Sequence, residues 1–86
     1  MSRDEVVQHL LDQGCLITKK RSNGMWIVYN EVTDVMVAIP VTDPARAGNV
    51  CRICEDLGIL LPNDPDVQAV KRQLNESRRK MNLGSN

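Results

Sequence analysis

The sequence predicts an α+β fold in the order α-β-β-β-α, with a three-stranded antiparallel sheet and an extra C-terminal helix. Three observations carry that reading. Apolar residues recur at helical spacing in the first dozen positions and again between 47 and 57. Between them lie three short runs rich in Val, Ile and other apolar residues. The runs are separated by Ser22-Asn23-Gly24 and Glu31-Val32-Thr33-Asp34, loops so short that consecutive strands must pair antiparallel.

Ser2-Arg3-Asp4-Glu5 has the form of a capping box, in which the Ser hydroxyl accepts from the Glu5 amide and the Glu side chain reaches back. Val6, Val7, Leu10 and Leu11 continue that helix at its proper spacing, and Gly14 can take the left-handed conformation that ends it. Residues 15–21 and 25–30 then form a hairpin, with Asn23-Gly24 as its turn signal. Residues 35–41 give the third strand.

In the second strand Met25, Ile27 and Tyr29 point one way and Trp26 and Val28 the other. The third strand divides into Val35, Val37 and Ile39 against Met36, Ala38 and Pro40. A sheet with one wet face alternates apolar with polar, and these two strands do not. The pattern predicts cover over part of the second face, from a partner subunit, an RNA surface or the C-terminal helix.

Asp43-Pro44 predicts a helical turn, and Gly48-Asn49 a second start with Asn49 as the cap. Ala47, Val50, Cys54 and Leu57 make an apolar stripe flanked by Ile53, and Gly58 ends the helix. Pro62-Asn63-Asp64-Pro65 is a break, with Asp64 capping the last helix and Pro65 at its first position. That helix, 65–82, carries a thin stripe of Val67, Val70, Leu74 and Met81 among Lys71, Arg72, Arg78, Arg79 and Lys80. Residues 84–86 are expected to fray. Residues 1–61 form the main unit, and 62–86 a linker and helix that pack on it or extend it.

Eighty-six residues suit one domain with a modest core. One Trp, one Tyr and no Phe leave that core to Val, Ile, Leu and Met. Eleven basic and eleven acidic side chains cancel, so nucleic acid is not attracted at long range and any contact with it needs a local patch. No secretory pattern and no membrane-spanning apolar run are visible, and three cysteines do not make an exported disulfide framework. The expected compartment is the cytoplasm of a bacterium or a phage-infected cell, with no membrane partner.

Cys51-Arg52-Ile53-Cys54 has metal-ligand or redox spacing but lies inside a helix, where Cys54 joins the apolar stripe. A zinc site needs two further ligands, and only Cys15 and His9 are at hand. The expected arrangement is Cys54 in the core and Cys51 half-buried, with no metal and no cofactor. Lys19-Lys20-Arg21 before the turn has two readings: a phosphate-contacting edge helped by the amides of Asn23 and Gly24, or a solvated tip that deters edge pairing. Trp26 is either a core residue or an exposed ring that stacks on a base or anchors a protein interface. Arg78-Arg79-Lys80 suits the negative end of a helix. No Ser-His-Asp set, paired carboxylates or phosphate loop is present.

Leu10-Leu11 before Gly14, the Gly24 hairpin turn, Ile39-Pro40 closing the third strand, Gly48 before the next helix and Leu57-Gly58-Ile59 after it occur in one order. That series, over residues 2–59, resembles the HicA-type toxins, small RNA-cutting proteins with a fold of the double-stranded-RNA-binding type. The resemblance implies RNA contact through Lys19, Lys20, Arg21, Asn23, Gly24, Met25 and Trp26, with a second basic patch at Lys71, Arg72, Arg78 and Arg79. In that family the turn reads Gly-Ser-His and the histidine does the chemistry; here the turn reads Asn23-Gly24-Met25. An imidazole can take a ribose proton near neutral pH, and a thioether cannot. The family's minimal form also lacks a helix at 65–82. The resemblance therefore implies an RNA-binding protein without nuclease activity. The alternative is a phage- or plasmid-type module that regulates or inhibits a protein partner. It predicts an exposed apolar patch on Trp26, Val28, Met36 or the last helix, which a homodimer would equally use.

Overall fold

Helix α1 (Arg3–Asp12) begins on the capping box that its sequence spells: Ser2 Oγ accepts from the Glu5 amide at 3.2 Å, and Glu5 Oε1 accepts from the Ser2 amide at 3.1 Å. The structure is a computed structural model and describes the backbone of residues 1–84 and the side chains of residues 1–78. After α1, Gly14 adopts φ +85° and turns the chain into β1 (Cys15–Lys20). β2 (Met25–Asn30) and β3 (Val35–Pro40) follow, and the sheet order is β1-β2-β3 with both pairs antiparallel.

Helix α1 packs on β1 and helix α2 (Ala47–Leu57) on β3, so both helices cover one face of the sheet. Val28 and Ile39 of that face meet Val6 and Leu10 of α1 and Val50, Ile53, Cys54 and Leu57 of α2 in one core. Helix α3 (Pro65–Gly84) runs along α2 and adds Val67 to the same core. Asp64 caps it, accepting from the Asp66 and Val67 amides at 3.0 and 3.2 Å. Beyond Lys71 every described side chain of α3 is exposed. Its backbone is still helical at Gly84, where fraying was expected; residues 85 and 86, and the side chain of Met81, lie outside the described residues.

Two expectations about α2 are corrected. Its N-cap is Arg46, which makes no side-chain capping bond, and Asn49 lies inside the first turn. Asp43-Pro44 is a bend and not a helical turn, and it laces the chain to the N-terminus: Arg3 donates its amide to Asp43 Oδ1 at 3.3 Å, and Ala45 donates to the Met1 carbonyl at 2.8 Å. With no side chain to cap it, the start of α2 is set by the burial of Val50 and the packing of Ala47. Among the described residues no helix is long and apolar enough to cross a membrane.

Candidate functional site

The hairpin tip is built on a tight, fully bonded turn. Gly24 takes φ +83° and donates its amide to the Arg21 carbonyl at 3.2 Å, while Arg21 donates to the Met25 carbonyl at 2.9 Å. Asn23 Oδ1 accepts from the Met25 amide at 3.1 Å, the side-chain-to-backbone bond that makes Asn a turn residue. The Gly24 amide is thus engaged within the turn. Besides the Asn23 amide, what the tip presents to an anion is its cationic side chains.

Strand β1 carries a bulge at Thr18: Ile17 pairs with Val28 and Lys19 with Ile27, so Thr18 is an extra residue. Its Oγ1 donates to the Ile27 carbonyl at 3.2 Å and partly repairs the ladder. The bulge changes which way the following side chains point. Cys15 and Ile17 face the core, whereas Lys19, two residues on, lies beside Ile27 on the open face. Lys20 falls opposite Trp26, and its ammonium sits 4.6 Å from the centre of the indole ring. Trp26 is half-buried against the core. Lys19, Lys20 and Arg21 are exposed, and none makes an ion pair among the described residues.

The second basic group is placed differently. Lys71 donates to Glu55 Oε1 at 2.6 Å and Arg78 to Glu55 Oε2 at 3.4 Å, fastening α3 to α2. The Lys71 hydrogen bond, with both nearby cations, holds the Glu55 carboxyl below the usual carboxylate range. Arg72 is exposed, and the side chains of Arg79 and Lys80 lie outside the described residues. No hydrogen bond or ion pair joins this group to the tip among the described residues.

The sheet face away from the helices has no cover from α3, which packs on α2. It presents Leu16, 43% exposed, and Met36, 61% exposed, with half-buried Ile27 and Tyr29 between them. The Tyr29 hydroxyl donates to Asp34, which holds φ +59° in the β2–β3 turn, and this bond raises the phenol above its ordinary pKa. Of the places where an apolar patch was expected, namely Trp26, Val28, Met36 or the last helix, Met36 lies on this face and the last helix exposes Leu74. Val28 is completely buried on the other side, and only Met36 of the three belongs to the open one. A cleft of about 200 Å³ lies between β3 and α2, lined by apolar Ile39, Pro40 and Ile53 and polar Asn49, Arg52 and Asp56.

Cys15, Cys51 and Cys54 are all buried free thiols, which corrects the half-buried position expected of Cys51. Cys51 donates to the Val67 carbonyl at 3.3 Å, and burial pushes the Cys54 thiol up to about 11. Thiols so placed stay protonated at neutral pH and pack as small apolar groups. His9 donates from Nε2 to the Leu60 carbonyl at 2.7 Å. Among the described residues no cluster of His, Cys, Asp or Glu could hold a metal ion.

Two determinants escape sequence reasoning. The Thr18 bulge has no signature in its neighbours. Asn30, read as a strand end, is buried: Nδ2 donates to the Leu57 carbonyl at 2.7 Å, and Oδ1 accepts from the Val32 amide at 2.9 Å. The only hint of the latter is an Asn directly after five residues of strand character. Comparison of the chain with family models, curated proteins and solved structures finds no match.

Proposed function

We propose that this chain is a HicA-like protein that binds RNA through its hairpin tip and does not cut it. One observation carries the reading: Lys19, Lys20 and Arg21 extend from a bonded turn without an ion pair among the described residues, beside the half-buried Trp26. Exposed cations without carboxylate partners can neutralise phosphates, and the indole beneath Lys20 offers a ring face on which a base can stack if it displaces that ammonium. The position that would hold the family's histidine is Met25, which has no proton to transfer. The neutral net charge weighs against this reading by offering nucleic acid no long-range attraction, so contact must come from the local patch.

Fluorescence anisotropy with a structured RNA at rising salt tests this. Three neutralised phosphates give a log–log slope of about −2.7, so a fourfold rise in salt weakens binding about 40-fold. Changing Lys19, Lys20 and Arg21 together to Ala should abolish the binding and leave the fold intact. No saturable binding at low salt, or binding indifferent to the triple change, would remove the reading.

A second reading has its own support. The open face carrying Leu16, Ile27, Tyr29 and Met36 suits a protein partner, whose binding would respond little to salt.

A further inference from the structure

The two edges of the sheet are built for opposite outcomes. On one edge β1 ends in Lys19 and Lys20 and carries the Thr18 bulge, two features that keep a further strand from pairing. On the other, β3 reads Val35-Met36-Val37-Ala38-Ile39-Pro40, with no charge along its length and a proline only at its end. Helix α2 runs beside this second edge, and the cleft between them is walled by Asn49, Arg52, Ile53 and Asp56.

The geometry points to a second copy of this chain as the occupant of that edge. Two molecules pair β3 with β3, antiparallel about a two-fold axis, and merge two three-stranded sheets into one of six strands. Charge singles out this occupant. β3 meets itself without any charge in the new ladder, whereas β1 meeting itself would carry its lysines and its bulge into the junction. Arg52 and Asp56 stand one helical turn apart on the cleft wall, 84% and 52% exposed, and only 4.0 Å separates their nearest charged atoms. A two-fold axis sets the two α2 helices antiparallel. Arg52 of one copy then comes opposite Asp56 of the other, and the reverse, as a self-complementary interface requires. Pairing centred on Val37 or on Ala38 keeps core-side residues with core-side residues across the new junction.

Sedimentation equilibrium of the full chain over a wide concentration range tests this. The expected particle is about 19 kDa, twice the 9.7 kDa chain. R52E makes the wall wholly acidic and D56R makes it wholly basic, so each alone should weaken association about tenfold or more. Circular dichroism confirms that each remains folded. An equimolar mixture of R52E and D56R should dimerise again, because the two altered walls complement each other. A wild-type chain that stays monomeric up to about 1 mM would overturn the inference. So would a dimer indifferent to either reversal, a mixture that fails to recover, or a monomer whose β3 edge instead takes up an extended peptide.

Discussion

Strand β2 shows both faces of the sheet within a few residues: Val28 is fully buried, while Ile27 and Tyr29 on the other side remain half-exposed. β3 repeats the contrast with Ile39 buried and Met36 largely exposed. The side chains on the two faces are similarly apolar. What separates them is cover, since α1 and α2 lie on one face and nothing in the chain's described residues lies on the other. A sheet meant to stay wet on one side replaces apolar residues there with polar ones, and this one does not. The open face therefore has the composition of a contact surface and the exposure of a free one.

The sharpest way to break that contrast is on the covered face. Asn30→Ala removes the bonds to the Leu57 carbonyl and the Val32 amide and leaves a small cavity, so the loss in urea unfolding should be about 3 kcal/mol. For a domain whose whole stability is about 5–10 kcal/mol this is a large fraction. Val28→Ala removes two methyl groups from the best-buried position of β2, and about 2 kcal/mol should be lost by the same measurement. On the open face, Met36→Thr should shift stability by no more than about 0.5 kcal/mol. A large loss from Met36→Thr would show that the open face is packed and would dissolve the comparison.

Features that depend on near neighbours were legible in the sequence. The Ser2–Glu5 box, the Asp64 cap and the Asn23-Gly24 turn are interactions over two or three residues, and all three stand in the structure. The start of α2 was not legible, because Arg46 provides no cap and long-range burial of Val50 fixes the boundary. Within the candidate site the tip residues are contiguous in sequence and could be grouped from it. The pairing of Lys71 and Arg78 with Glu55 spans 16 and 23 residues and could not. Nor could the burial of Asn30, whose partner Leu57 is 27 residues away.

The bulge at Thr18 gives the tip an unusual kind of tolerance. Lys19 pairs with Ile27 across the hairpin, so its face is encoded by the number of residues that separate it from the turn, and hardly by their identity. Point mutations of Thr18 can leave the count intact, with the Oγ1 bond to Ile27 their main casualty. Loss of that single codon would remove the extra residue and leave Lys19 directly after Ile17, still opposite Ile27 on the open face of an unbroken ladder. Inheritance of this surface thus tolerates both substitution and deletion at position 18.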